Sequence, residues 1–99
     1  MLELVWLGSA EADLDNIAEY IAQDNIDAAI DVYLRIKDSS KGLLEHPKIG
    51  RAGKVKGTRE RVVGGTKLII VYRVVDRIEI IRVLHGAQMW PSPESAKDI

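Results

Sequence analysis

A change of hydrophobic period at Pro47 is the feature that most constrains how this chain can fold. Before it, apolar residues recur every three or four positions, whereas after it they form β-branched runs typical of strands. Proline restricts the residue before it to extended geometry, so a helix approaching His46 has to end there. Because 99 residues suffice for only one compact core, the helical part must pack on the strand part.

Two amphipathic helices are predicted before this break. Ser9 is the candidate N-cap of the first, whose apolar stripe lies in residues 14–21, and Asn25 is the candidate N-cap of the second, whose stripe lies in residues 28–44. Only two or three residues separate the helices, which predicts an antiparallel hairpin. Residues 2–7 precede them as a short strand.

Three strands are predicted after the break, at residues 59–63, 67–75 and 77–85, joined by Gly64-Gly65 and by a tight turn near Asp76. The glycine-rich residues 49–57 form a loop or a ragged edge strand. The expected fold is therefore α+β, with an N-terminal strand, an antiparallel helical hairpin and a three-stranded antiparallel meander. The helices should cover one sheet face and leave the other open. We expect a single domain at 1–91 and a tail at 92–99.

Charge is distributed very unevenly along the chain. Residues 1–33 contain eight acids and no lysine or arginine, whereas residues 34–91 contain thirteen bases and five acids. The basic part suits an anionic partner. With no cysteine there is no disulfide framework, and the first apolar run of about six residues is too short for a signal peptide or a membrane span. These features predict a cytoplasmic protein that does not engage a membrane.

Six bases and one acid lie between Lys48 and Arg61, next to the predicted sheet. Strand alternation puts Arg59 and Arg61 on one side, and a lone arginine within an aliphatic strand should leave through the uncovered face. We therefore expect a shared recognition surface on that face. The alternative is that Arg73 and Arg82 pair across strands with Glu79 or Glu60. The candidate binding residues are Arg51, Lys54, Lys56, Arg59, Arg61, Arg73, Arg82, His85, Gln88 and Trp90.

Few other sites can be argued from the residues. His85 could transfer protons, although a strand-end histidine bonded to the backbone is the simpler interpretation. No second ligand stands at metal-binding spacing, and the glycines lack the P-loop pattern. We expect no metal and no cofactor.

Five ordered motifs cover nearly the whole chain: Trp6-x-x-Ser9-Ala10-x-x-Asp13-Leu14-x-x-Ile17-x-x-Tyr20-Ile21, Leu44-Glu45-His46-Pro47, Gly50-Arg51-x-Gly53 leading to Gly57-Thr58-Arg59-Glu60, Ile70-Val71-Tyr72-Arg73-Val74, and Val83-Leu84-His85-Gly86-Ala87-Gln88-x-Trp90-Pro91. Together they resemble the RelE/ParE toxins of bacterial type II toxin-antitoxin modules. The resemblance implies the same order of elements. It also implies a small, acidic, co-encoded antitoxin that folds over the toxin.

The resemblance leaves two targets open. RelE-like members cut mRNA on the ribosome, and Arg59, Arg61 and His85 would then be catalytic, whereas ParE-like members inhibit DNA gyrase by binding. Two arginines of the RelE-like enzymes align here with Ile69 and Gln88, and loss of guanidinium groups would weaken a phosphoryl-transfer site. The ending at Leu84-His85 is closer to ParE-like chains. We therefore favour a gyrase inhibitor over a ribosome-dependent endoribonuclease.

Two further expectations concern binding. A cationic module that binds RNA or DNA directly is a third possibility, and its affinity would fall steeply with salt. If an antitoxin helix docks on the chain, the structure should expose a large apolar strip between the helices and the open sheet, involving the outward side of the helical hairpin.

Overall fold

The computed structural model describes residues 2–86. Its elements follow the chain as β1 (Leu4–Trp6), α1 (Gly8–Ala22), α2 (Ile26–Gly42), β2 (Arg51–Ala52), β3 (Arg59–Val62), β4 (Leu68–Val74) and β5 (Ile78–His85). The α+β class and the order of helices and strands are confirmed. The two-residue β2 is the ragged edge strand that the glycine-rich segment predicted.

The strands form one five-stranded sheet in the order β1-β5-β4-β3-β2. Strands β2 to β5 are antiparallel neighbours, as a meander requires, while β1 lies parallel to β5 with Leu4 opposite Ile78. A parallel pair cannot be closed by a tight turn. The N-terminal strand therefore joins the far edge of the meander and extends the three predicted strands into a mixed sheet.

The two predicted helix caps have different outcomes. The Asn25 side chain accepts a hydrogen bond from the backbone N–H of Ala28 at 3.0 Å and caps α2 as expected. The prediction for Ser9 is wrong, because Leu7 occupies the N-cap of α1. The Ser9 hydroxyl instead donates to the carbonyl oxygen of Ile81 at 2.6 Å. Since β1 ends at Trp6, α1 side chains take over the hydrogen bonding of β5 beyond that point.

The main core lies between the helical hairpin and one face of the sheet. Buried residues of α1, α2 and the following turn meet alternate residues of β4 and β5 in this layer, as period-2 strands require. Its buried members are Ala10, Leu14, Ile36, Leu43, Val63, Leu68, Ile70, Tyr72, Ile78, Ile80 and Val83.

The second sheet face is not bare, in contrast to the open face that we expected. Val71, Ile81 and Leu84 are buried there, and Val55 from the β2–β3 loop packs against them. A β-bulge explains how Ile80 and Val83, which are three residues apart, both reach the main core, because the register passes from Val71–Arg82 to Tyr72–Ile80 and leaves Ile81 as an additional residue.

Neither helix among residues 2–86 has the length and apolar content needed to cross a bilayer. The predicted domain end at residue 91 and the tail at 92–99 lie outside the described residues.

Candidate functional site

Arg59 and Arg61 lie on the helix side of the sheet, not on the opposite face where we expected them. They stand opposite Tyr72 and Ile70 of β4, which both belong to the main core. Arg59 donates through Nη1 to the backbone carbonyl oxygens of Lys48 and Gly50, at 3.2 and 2.9 Å. The Arg61 guanidinium lies against Gly42 at the end of α2, where the helix dipole favours a cation. Both arginines thus stabilise contacts between β3 and neighbouring segments of the chain.

Arg51 lies on the other sheet face, where a buried carboxylate holds it. Its Nε and Nη2 donate to Glu60 Oε1 at 3.3 and 3.1 Å, and the backbone N–H of Lys54 donates to Glu60 Oε2 at 3.3 Å. Glu60 is almost fully buried. A charge removed from water requires partners, so Arg51 and the loop amide stabilise Glu60 as much as Glu60 positions them.

Arg73 and Arg77 share the carboxylate of Glu79. Arg73 pairs with Oε1, while Arg77 donates to Oε2 at 2.9 Å through Nε and 2.7 Å through Nη2. The hydrogen bond from Arg73, followed by that from Arg77, holds the pKa of the Glu79 carboxyl below its usual value. The alternative of cross-strand pairing is therefore correct for Arg73, which stands opposite Glu79 in the β4–β5 register.

Arg82 pairs with Asp13 of α1, and not with Glu79 or Glu60. Its Nε and Nη2 donate to the two carboxylate oxygens at 2.6 and 3.1 Å, and the backbone N–H of Val83 also donates to Asp13, at 2.9 Å. The hydrogen bond from Arg82 to Asp13 raises the pKa of the arginine. Asp13 thus closes the β5 edge that β1 leaves uncovered, so the pair holds α1 on the sheet.

The expectation that the cations share one surface is therefore wrong. Arg59 and Arg61 face the helices, Arg73 and Arg82 are each tied to a carboxylate, and Lys56 lies exposed in the β2–β3 loop. Strand alternation alone could not decide which face the helices would cover, and that choice reversed the side of the β3 arginines. Gln88 and Trp90 lie outside the described residues.

A small cavity next to the second sheet face brings three of the candidates together. Arg51, Lys54 and His85 line about 60 Å³ there, beside Glu60 and the apolar side chains of Ile69, Val71 and Leu84. Its anion-binding capacity is limited, because the Glu60 carboxylate already neutralises Arg51 and would repel a phosphate.

A larger apolar groove lies between the helical hairpin and the end of the sheet, with a volume of about 510 Å³. Ile17, Ile21, Val32 and Leu68 supply apolar walls, and Lys67 and His85 also line it; Asn16, Tyr20 and Thr66 complete its lining. The Tyr20 side chain is 75% exposed at this groove. The groove combines the properties of a protein-binding surface, because it is concave, mainly apolar and cationic on one side.

The three residues that a RelE-like mechanism would use are not assembled at one point. Arg61 lies on β3 and His85 on β5, so two strand spacings, about 10 Å, separate their backbones. The buried side chains of Ile70 and Leu68 occupy β4 between them. Within residues 2–86, no three His, Asp or Glu side chains are grouped so that they could hold a metal ion. The expectation of no cofactor stays a prediction.

Two residues that stabilise the fold, Asp13 and Tyr72, were not recognised as such from the sequence. Asp13 was named only within the first of the five motifs, and no periodicity could indicate its contact with a strand 69 residues away. The Tyr72 hydroxyl, which accepts the backbone N–H of Gly50 at 2.8 Å inside the core, was also missed. Residues 1–33 contain eight acids and no lysine or arginine, so an ion pair of Asp13 with lysine or arginine had to involve a residue later in the chain.

The outward side of the hairpin exposes apolar side chains, as the predicted strip requires, but the sheet face expected beside that strip is covered by Val55 and is not open. Docking of an antitoxin on the strip stays a prediction. Ile26 and Ile30 are 66% and 54% exposed, and Tyr33 and Leu34 also reach the surface. A crevice of about 310 Å³ runs between the outer sides of α1 and α2.

Comparisons with known proteins agree with this geometry. A family model described as the ParE toxin of the type II toxin-antitoxin system parDE matches residues 4–90. The Sinorhizobium fredii protein Y4kP is 42% identical over 86 residues, which cover 87% of this chain and 90% of that protein. Toxin RelE2 of Caulobacter vibrioides is 35% identical over 90% of this chain and 100% of its own length.

A second Caulobacter vibrioides protein, toxin ParE1, is 35% identical over 77% of this chain and 80% of its own length. Among solved structures, a chain of the chromosomal ParDE TA system from P. aeruginosa matches with a TM-score of 0.77 and 27% identity, over 86% of this chain and 96% of that chain. With its family match, its relatives and its fold in agreement, this chain belongs to the ParE toxin family of type II toxin-antitoxin systems.

Proposed function

We propose that this ParE-type toxin arrests growth in the cytoplasm by binding and inhibiting DNA gyrase, and that a small acidic antitoxin neutralises it. The observation that carries the proposal is the separation of Arg59 and Arg61 from His85. Catalysis of phosphoryl transfer requires cationic groups and an acid or base within hydrogen-bond reach of one phosphate. Arg59 is hydrogen-bonded to the backbone of Lys48 and Gly50, and Arg61 lies against Gly42, so both guanidinium groups are engaged in contacts within the fold. Inhibition by binding does not need these groups at a phosphate, but only a complementary surface.

Ribosome-dependent mRNA cleavage is the second candidate, and one observation favours it. His85 lies with Arg51 and Lys54 around the small cavity of the second sheet face. However, the cavity is small, about 60 Å³, and the Glu60 carboxylate adds a negative charge to its wall. We therefore rank cleavage below gyrase inhibition.

The test is a supercoiling assay with purified gyrase, relaxed plasmid and increasing amounts of the full-length chain. We expect supercoiling to stop in a dose-dependent manner, and the folded state of the chain is checked beforehand by circular dichroism. The same chain after irreversible heat unfolding is the control for non-specific effects. Normal supercoiling at a saturating amount of folded toxin would reject the proposal.

A parallel assay follows mRNA on translating ribosomes. Under the gyrase proposal the message stays intact. Codon-positioned cuts that disappear in Arg59→Ala or His85→Ala would instead establish the endoribonuclease, while cuts that persist in both variants would place the chemistry on other residues. Either form of cutting contradicts inhibition of gyrase as the sole activity.

We place the antitoxin in the 510 Å³ groove between the hairpin and the sheet end. Its apolar walls can bury the hydrophobic side chains of a partner segment, and Lys67 can face the acids of that segment. Lys67→Glu should weaken binding of the protein encoded beside the toxin gene by roughly tenfold. Lys41→Glu, an exposed change on α2 outside the groove, is the matched control. Equal losses in the two variants would mean that only net charge matters.

A further inference from the structure

The short strand β2 forms one edge of the sheet, and the chain around it is strongly basic. Residues 46–59 contain five bases and no acid. Both residues of β2 are exposed, and three exposed lysines precede and follow it along the chain. Arg59, the first residue of β3, pairs with β2. We call the four cations that flank β2 the basic edge, and they are Lys48, Lys54, Lys56 and Arg59.

Carboxylates do not neutralise the basic edge. In the part of the chain that the structure describes, ion pairs involve five other arginines and none of the lysines. Glu60 follows Arg59 directly, but its side chain pairs with Arg51 on the other sheet face. It also accepts the backbone N–H of Lys54 and not the ammonium group of that residue. The basic edge therefore keeps its positive charge for a ligand.

A cavity of about 340 Å³ lies beside this edge, at the end of β4. Lys48, Arg59 and Val74 line it, together with Ala52, Gly57 and Thr58. Arg59 is half-buried, and its Nη1 donates to the carbonyl oxygens of Lys48 and Gly50 at 3.2 and 2.9 Å. These neutral acceptors fix the position of the guanidinium without cancelling its charge. A positioned guanidinium beside a lysine suits one phosphate group.

The composition of the edge favours a nucleic acid duplex over a protein. Protein interfaces have an apolar centre, whereas protein–DNA interfaces are more polar and much more positively charged. Val55, the one large apolar residue of 50–59, packs on the second sheet face. Single strands bind by stacking their bases on aromatic side chains, and residues 46–59 contain no Phe, Tyr or Trp. The phosphates of a duplex require neither kind of contact.

We infer that the basic edge binds the phosphate backbone of duplex DNA, with one phosphate in the cavity between Lys48 and Arg59. Contacts to phosphates do not read bases, so this binding is independent of sequence. The cavity lies at Val74 and the antitoxin groove at Leu68, which are the two ends of β4, about 20 Å apart. The inference therefore goes beyond antitoxin binding, and it does not depend on inhibition of gyrase.

The test follows the fluorescence anisotropy of a labelled duplex of about 24 base pairs during titration with the full-length chain, without gyrase. If about four phosphates are neutralised, the affinity should fall roughly hundredfold between 50 and 200 mM KCl. A thymidine single strand of the same length should bind more weakly. A poly-glutamate peptide of equal charge should not displace the duplex. Because gyrase is absent, a negative result here leaves the supercoiling assay to decide the proposed function by itself.

Three variants, each checked for folding by circular dichroism, locate the binding. Lys48→Gln and Lys56→Gln should each weaken binding of the duplex by about five- to tenfold at 100 mM KCl, and reduce the salt slope by about one. Arg35→Gln is the matched control, because it removes the same charge from an exposed pair near Gly64, at the other end of the strands. Its effect should stay below about twofold.

Four results would overturn the inference. They are no binding of the duplex, an affinity that does not change with salt, an equal or tighter affinity for the single strand, and equal effects of the three variants. Displacement of the duplex by poly-glutamate would assign the basic edge to an acidic protein, and would overturn the inference as well.

Discussion

The sheet and the outer hairpin use charge in opposite ways. Three arginines of the strands are tied to buried or half-buried carboxylates, in the pairs of Arg51 with Glu60, Arg73 with Glu79 and Arg82 with Asp13. On the hairpin, exposed acids such as Glu19 and Asp27 surround exposed isoleucines. Charge density in the sequence is therefore a poor guide to a recognition surface. The cation-rich half uses much of its charge to hold the fold, while the acidic half leaves both charge and apolar area for a partner.

Removal of the Asp13 carboxylate, which joins the hairpin to the sheet, should cost the most stability. Asp13→Ala eliminates the two hydrogen bonds that Asp13 accepts from the guanidinium of Arg82 and the one that it accepts from the N–H of Val83. We expect the free energy of unfolding to fall by about 2–3 kcal/mol, measured by urea denaturation. Asp15→Ala, two residues away and exposed, has the same effect on helix propensity and should change stability by less than about 0.5 kcal/mol. Equal effects would mean that the Asp13 contacts contribute nothing.

The Glu79 carboxylate gives a test by pH. At pH 7, Glu79→Gln should destabilise the chain by about 1–2 kcal/mol, because two arginines lose a charged acceptor. The pKa of Glu79 is lowered in the folded state, so its contribution is complete above the unfolded value of about 4.3 and is lost as pH falls through the lowered folded value. The stability difference between parent and variant, measured by urea denaturation from pH 7 to pH 3, should therefore shrink only below about pH 4.3. A difference that is constant over the whole range would contradict this.

A variant of Tyr72 tests how much a buried hydrogen bond contributes to the stability of the sheet half. Tyr72→Phe leaves the buried N–H of Gly50 without its acceptor, which should cost about 1–2 kcal/mol in the free energy of unfolding. Tyr20→Phe is the control, since Tyr20 is 75% exposed and its hydroxyl can bond water. If the two variants lose the same stability in thermal or urea unfolding, the buried hydrogen bond is not what fixes the Gly50 turn.

Substitution of Ile30 on the hairpin should change the free energy of unfolding least. Ile30→Ser removes an apolar side chain that is already half in water, so the free energy of unfolding should change by less than about 0.5 kcal/mol. A substantially larger loss would show that Ile30 supports the fold and is not available to a partner. The same urea series, with Val62→Ser beside it, provides this measurement.

Much of the architecture could be predicted from local patterns. The period change at Pro47, the Asn25 cap and the Gly64-Gly65 turn specified two helices and three strands, because each depends on residues close in sequence. The parallel pairing of β1 with β5 could not be predicted, since a three-residue strand carries no information about which edge it will join.

The candidate site was less predictable than the fold. Alternation correctly put Arg59 and Arg61 on one side of β3, but it does not indicate which side the helices cover. The bulge at Ile81 adds a second ambiguity, because one additional residue changes the alternation along β5. The sequence therefore shows where cationic residues are dense, but not on which face of the sheet each cationic side chain lies.

The sequence by itself determined the elements, the opposite charges of the two halves and the apolar stripe on the outer hairpin, because these follow from residue type and short spacing. Only the tertiary structure decided which carboxylate each arginine meets. Those contacts join residues as far apart as Asp13 and Arg82, and long-range pairs depend on how layers pack and not on local propensity. For this toxin, packing decided which charges hold the fold and which remain available for binding.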